Sequence, residues 1–418
     1  MSVIYSTLTS ILNKISDEFH ESFLFSTIFS ILRFVEKGWV NSYFKKLYPN
    51  ENFLSFLNKN NILRNHIFNP LIVLFLFAIF LLLSMTAPSK SLVITLIVAF
   101  VAFFIGSTIL PRYFLNDSAE NILKFEKRDI YSIGFCLTLV SIVFFFISIA
   151  SVGGIPLLKP AFTMPVFLII PATCLIASAY LKDFQDGKIA RSQARFRFLF
   201  LLLIDCAFLL ILGYRTPLLA AFLIIIIIGF YGNIISLWEV AVGAAIGVGA
   251  IIGIGYFRSV GEMTITSSTN PFYTLQSRAD FTLHVLNLLD FIGGDFGVTH
   301  GQVLLSSIPG SGLGPRMMIG KLIAWRTEVT ITPTLIGQMV ADFGKVGVAV
   351  QMLILGLTLG IGFKLMQKTK DFFYIGIYSL ILTYSILGIE TGILDIQVLL
   401  YFAIAIFIYL INLVKVKN

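Results

Sequence analysis

An arginine between two strongly apolar segments, in Gly213-Tyr214-Arg215-Thr216-Pro217, is the first arrangement in this chain with a clear chemical use. Its guanidinium carries a planar fork of donors that matches two phosphate oxygens at once. The same position suits an interfacial arginine that snorkels its charge toward water, and the sequence leaves both uses open. A second concentration of reactive side chains lies between residues 257 and 333. There Arg258, Arg278, Arg316, Lys321 and Arg326 are interspersed with Glu262, Asp280, Asp290, Asp295 and Glu328, and with His284 and His300. A carboxylate or imidazole can take the proton of an attacking hydroxyl, and cations can offset charge building on a departing diphosphate. Asp280, His300 and Glu328 are therefore candidates for proton transfer, and Arg215, Arg258, Arg278 and Arg316 for diphosphate binding. The bland alternative is that each loop charge is solvated or salt-bridged. Arg278, near a predicted helix start, and His300, beside Gly301, are the better placed.

Other chemistries lack their residues. The chain has no G-x-x-x-x-G-K-[ST] loop, G-x-S-x-G elbow, H-E-x-x-H helix or paired C-x-x-C. With four histidines, and with Cys136, Cys174 and Cys206 all in apolar segments, neither a dedicated metal cage nor a cofactor is expected. The cysteines read as small core residues. Asp205 falls in the middle of an apolar segment, where a carboxyl group serves a proton relay, binds a neighbouring polar group or stays protonated. Glu390 and Asp395 flank the turn Thr391-Gly392 and border the same external region. Glu239 lies near the opposite boundary and reads as structural.

The elements that must position these residues are membrane helices. Hydrophobic residues make up 57% of the 418 positions, charged residues only 12%, and the mean hydropathy is +0.92. Ordinary soluble domains carry about twice that charged fraction. The apolar residues also come in blocks matching the roughly 20 residues needed to cross a hydrocarbon core. Candidate spans cover 67–86, 91–110, 130–150, 165–180, 197–213, 216–231, 235–256, 335–363, 372–388 and 391–413. The expected fold is thus all-α: a polytopic integral membrane protein with ten spans. With both termini inside, the inner segments hold 21 of the 30 lysines and arginines. That distribution follows the positive-inside bias and sets the orientation in the cell membrane. It also accounts for the net charge of +8 without nucleic acid, since no basic stripe with interleaved aromatics appears.

Four regions follow: 1–66, a cytoplasmic or interfacial segment with an amphipathic helix over 19–35; 67–256, seven spans; 257–333, a large extracytoplasmic loop; and 334–418, three spans. No leading signal peptide is expected. A loop as long as 257–333 is usually functional. Within it, Ser277-Arg278-Ala279-Asp280 has the form of a capping box before an apolar helix stopped by Gly293-Gly294. On that helix Asp280, His284 and Asn287 share one face. A glycine-rich stretch, Pro309 to Pro315, then precedes a second predicted helix with Arg316, Lys321, Trp325 and Arg326.

Three stretches resemble the oligosaccharide repeat-unit polymerases, the Wzy-type O-antigen polymerases and their archaeal relatives. They are Gly213-Tyr214-Arg215-Thr216, Ile308-Pro309-Gly310 with Leu313-Gly314-Pro315, and Thr332-Pro333-Thr334-Leu335-Ile336-Gly337 followed by Asp342-Phe343-Gly344-Lys345-Val346-Gly347. The resemblance implies a GT-C-like membrane glycosyltransferase acting on polyprenyl-diphosphate-linked oligosaccharide, with membrane lipids and a chain-length regulator as partners. It implies inversion at the anomeric carbon, the lipid diphosphate as leaving group, and an anion-binding role for Arg215 and Arg278. Two repeated Arg-x10-Gly motifs of the bacterial members are not reproduced, because Leu289 stands eleven residues after Arg278. A ligase that passes the finished glycan to another acceptor shares these features. A transporter would instead show two matching halves and midplane charges, of which Asp205 is the one strong example.

Overall fold

The computed structural model describes residues 66–114, 125–152, 163–212, 215–261, 271–308, 313–324 and 330–417. The amphipathic segment expected before residue 66 lies outside them. Each of the ten predicted spans falls on a helix: α1 (Leu71–Leu82), α2 (Lys90–Phe114), α3 (Lys127–Val152), α4 (Met164–Gln185, with a 3-10 first turn), α5 (Arg191–Ile211), α6 (Arg215–Tyr231) and α7 (Leu237–Gly261). After the long connection come α11 (Thr334–Thr369), α12 (Phe372–Thr391) and α13 (Ile396–Lys417). Among the described residues, α2, α3, α4, α11 and α12 are long and apolar enough to cross a membrane, and α1, α6, α7 and α13 contain shorter apolar helices. The 21 residues of α5 include Arg191, Arg195, Arg197 and Asp205, which lower its hydropathy.

The connection expected as a loop over 257–333 is itself largely helical. α7 runs on to Gly261, and α8 (Pro271–Gly293), the four-residue α9 (Gln302–Leu305) and α10 (Pro315–Ala324) follow. α8 begins at a proline, whose fixed φ and missing N–H suit a first helical position, rather than at the predicted box. Its end at Gly293 matches the expectation.

α4 and α12 are buried along most of their length, whereas few residues of α3 are buried. α2 packs on α11 with almost no side-chain spacer. α2 passes through a π-helical stretch at Ile105–Ile109 there. A β-carbon at Gly106 would lie 2.3 Å from the Leu353 carbonyl oxygen, and one at Gly356 2.5 Å from that of Phe103. Buried polar groups tie other helices together. Tyr378 donates to the Phe68 carbonyl at 2.5 Å, Tyr401 to that of Phe167 at 2.8 Å, and Thr173 reaches both Asp205 oxygens at 2.9 and 2.8 Å. Asp205 thus binds a neighbouring hydroxyl, one of the readings open to it.

α11 is not one straight rod. Gly344 takes φ 59, ψ −147 in its middle, a region that only glycine enters easily. On a straight helix Leu335 and Gln351 would sit about 24 Å apart, yet the Gln351 amide donates to the Leu335 carbonyl at 2.8 Å. A β-carbon at Gly347 would likewise meet the Met339 carbonyl at 3.1 Å. The arm Thr334–Phe343 therefore doubles back along the start of the arm that follows Gly344. The predicted span over 335–363 ran straight through this turn.

Ion pairs gather at the two ends of the bundle. At one end Asp183 binds Lys127 at 2.6 Å and Arg197 at 3.7 Å, Arg195 binds Glu239 at 2.9 Å, and Arg191 and Arg195 both donate to the Ile234 carbonyl. Glu239 is structural, as expected. The other end carries α8, α9, α10 and the α12–α13 turn, and is called the loop end below.

Candidate active site at the loop end

The site is built around the six residues from Glu390 to Asp395. Their two carboxylates hold arginines from different parts of the long connection. Arg278 of α8 donates through Nε to Glu390 Oε1 at 2.8 Å. Arg316, near the start of α10, binds the Asp395 carboxylate. Burial pushes the Asp395 carboxyl up, and the Arg316 charge works against that shift. The backbone between the two acids is held from below. Gln338 Oε1 accepts from Leu394 N at 3.2 Å, Ser307 donates to the Leu394 carbonyl, and Gly392 takes φ 84 to close the α12 terminus. Both Arg278 and Arg316 remain partly open to solvent, with side chains 43% and 37% exposed. The pairs fix the positions of both cations.

α8 is seated across the loop end by the polar face predicted for it. Asp280 Oδ1 accepts from Ser84 Oγ at 2.7 Å, from the Met85 and Thr86 amides at 2.6 and 3.0 Å, and from Thr86 Oγ1 at 3.3 Å. The Ser84 hydroxyl, with those amides, holds the Asp280 carboxyl below its usual range. Asn287 continues the clamp, accepting from Ser89 N at 2.8 Å and donating to the Ala87 carbonyl at 3.3 Å. His284, on the same face, is exposed. Under this clamp lies a cavity of about 320 Å³, lined by Leu81, Leu82, Ser84, Met85, Leu96 and Leu283 among others.

His300 stands on a separate, tightly held turn. Its φ is 45, and it is exposed. Both neighbours are bound to one buried carboxylate: Asp342 Oδ1 accepts from Thr299 Oγ1 at 2.6 Å and from Gly301 N at 3.0 Å. Asp342 also accepts from the Val303 and Leu304 amides at 3.0 and 2.7 Å. It thereby satisfies the free donors at the start of α9. A β-carbon at Gly297 would overlap the Asp342 carbonyl at 2.3 Å, so the turn can lie against the α11 fold only with glycine there. Thr299 and Val298 both donate to the Ala341 carbonyl, at 3.1 and 2.8 Å.

The structure thus brings Arg278 and Arg316 to one short turn. No hydrogen bond or ion pair among the described residues joins Asp280 or His300 to these two pairs. The side chains of Arg215 and Arg258 lie outside the description although their helices are placed, and Glu328 lies outside the described residues. Sequence reasoning passed over Asp342 and Gln338. The available signal was a carboxylate two residues before the backbone break at Gly344, in Ala341-Asp342-Phe343-Gly344, inside a predicted apolar span.

Described residues without a strand, several helices long and apolar enough to cross a membrane, and a polar, arginine-bearing end define a multi-pass membrane protein. Its residues 66–402 match the family model described as "Putative O-antigen polymerase". The chain belongs to that family. It is also 28% identical over 321 residues to an uncharacterized protein of Methanocaldococcus jannaschii, covering 76% of this chain and 87% of the relative. No solved structure matches it.

Proposed function

We propose that the protein polymerises oligosaccharide repeat units carried on a polyprenyl diphosphate, at the extracytoplasmic face of the cell membrane. Family membership supports a role in polysaccharide synthesis. The observation that carries the finer reading is the convergence of Arg278 and Arg316 on the carboxylates flanking one turn. In this reading both termini are cytoplasmic and the loop end faces outward. The reaction moves few atoms. A hydroxyl oxygen of the acceptor sugar attacks the anomeric carbon, with inversion, as the bond from that carbon to the diphosphate oxygen breaks. The hydroxyl proton passes to a base, and the polyprenyl diphosphate leaves as an anion.

Arg278 and Arg316, with Arg215 and Arg258 from neighbouring helices, offset that anion's charge by fork-like hydrogen bonds. They supply the electrostatic stabilisation that a metal ion supplies in other transferases. The base is drawn from His300, Asp280 and Glu328. His300 fits best: it is exposed, and its turn is fixed by Asp342. The lowered pKa of Asp280 makes it a weaker base than an ordinary carboxylate. The test is a reconstituted assay with the full chain in lipid nanodiscs and purified lipid-linked repeat unit. A ladder of lengthened lipid-linked glycans is expected. Transfer to a different acceptor without laddering would identify a ligase, and leaflet exchange without growth a transporter.

A further inference from the structure

The doubled-back arm of α11 starts at a point well below the Gly344 turn, beside Gln351. A helix start exposes N–H groups that need partners and carries the positive end of the helix dipole. Here no side chain caps it: Pro333 precedes the first residue and offers no acceptor. Thr334, the first residue, has a strained φ of 64 and is wholly buried, and its hydroxyl has no partner among the described residues. One turn on, Gln338 is also wholly buried. Its oxygen accepts from Leu394 N, which fixes the orientation of the amide and leaves Nε2 without a partner. The Arg316 Nε is unpartnered too. Arg316 is tied to this helix start through its carbonyl, which accepts from Ile331 N at 3.1 Å. A β-carbon at Gly392 would lie 3.2 Å from the Thr334 carbonyl and 3.3 Å from Gln338 Oε1, so the Glu390–Asp395 segment covers the same spot.

Around the uncapped helix start and the partly exposed Arg316 guanidinium, Thr334 Oγ1, Gln338 Nε2 and Arg316 Nε lack partners among the described residues, as does Oε1 of Gln351, whose amide donates to Leu335. Buried donors without acceptors are costly and rare in a settled core. Their shared chemistry is complementary to a compact anion rich in oxygen acceptors. Broken helices inside membranes aim their starts at anionic groups for the same reason. We propose that the α11 helix start, with Thr334, Gln338 and Arg316, is the seat of a phosphoryl group of the lipid diphosphate. The Arg316 side admits the ligand, and the Gly392 turn moves aside as the phosphoryl oxygens take up the three free groups. This assignment rests on the reading above for the identity of the anion.

Titration of the full chain in nanodiscs with farnesyl diphosphate, a short prenyl diphosphate, tests it. Thr334→Val and Gln338→Met are each expected to weaken binding by about tenfold. The first should do so at an unchanged or higher unfolding temperature, because its hydroxyl has nothing to bind without ligand, and the second at a lower one, because it also removes the acceptor of Leu394 N. Inorganic pyrophosphate should compete. Wild-type protein should also gain hydrogen–deuterium exchange protection across 334–338 when farnesyl diphosphate is added, a readout independent of whether the variants fold. Unchanged affinity in variants that melt lower would overturn the proposal, assigning the groups to a buried water. Equal competition by phosphatidylglycerol would overturn it in favour of a membrane headgroup, and absent protection would sink it outright. If variants bind normally while wild type still builds ladders, this site is wrong and the polymerase reading stands. If binding follows the proposal but no chain grows, the polymerase reading is what fails.

Discussion

Arg316 and Asp395 lie 79 residues apart in sequence and meet as a half-buried pair. Truncating the cation leaves Asp395 buried without its offsetting charge, and burial is already the larger influence on that carboxyl. Arg316→Leu should lower stability by about 1–3 kcal/mol, the range for a partly solvated pair. The double variant Arg316→Leu/Asp395→Leu should regain most of it, and thermal unfolding in detergent measures both. Asp280 gives a pH prediction. Its folded pKa is depressed, so its contribution is fully present above the unfolded carboxylate value near 3.9 and fades as pH falls through the folded value. Acidification below about pH 4 should therefore loosen the clamp between α8 and residues 84–86. Asp280→Asn should remove that acid dependence, seen as proteolytic sensitivity of the α8 region. For Arg215, replacement by lysine keeps the charge but loses the planar fork. Arg215→Lys should sharply shorten the glycan product at normal expression, and wild-type chain lengths would remove its phosphate role. At this scale the sequence was informative about residue types but not partners. The acids flanking Thr391-Gly392 were legible as neighbours of the long connection, whereas no spacing rule links Arg278 to Glu390 across 112 residues.

Elements show where pattern reading succeeds and where it stops. Apolar blocks located the helices because a bilayer leaves a backbone few other ways to satisfy its polar groups. The same blocks hid the fold in α11, since a turn between two apolar arms keeps the hydropathy of one long span. The clue was local: Asp342-Phe343-Gly344-Lys345 sets two charges and a glycine inside that stretch. The α8 start was misplaced for a related reason. Asp280 has the residue type of a capping box, but its carboxylate is spent on a neighbouring segment 194 to 196 residues away. Gly344→Ala tests the fold directly. It forces a side chain into φ 59, ψ −147 and against the Asp295 carbonyl, 2.5 Å from the added carbon. A loss of about 1–3 kcal/mol is expected from the backbone alone. Circular dichroism melting should show a lower midpoint with unchanged helix content.

For the whole molecule, the orientation of the bundle is the reading on which function turns. The two charged ends contain the segments that the lysine and arginine distribution assigns to opposite sides of the membrane, which the alternating helices keep apart. A membrane-impermeant maleimide should label Ser277→Cys in intact cells and leave Lys188→Cys unlabelled until the cells are opened. The opposite pattern would put the arginines on the side where no assembled repeat units are displayed. The contact between α2 and α11 limits how such a molecule can move. Backbone touches backbone at Gly106 and Gly356, so the two helices cannot slide or splay without opening a void in lipid. They behave as a fixed wall. Any rearrangement of the bundle must therefore leave this pair of helices together.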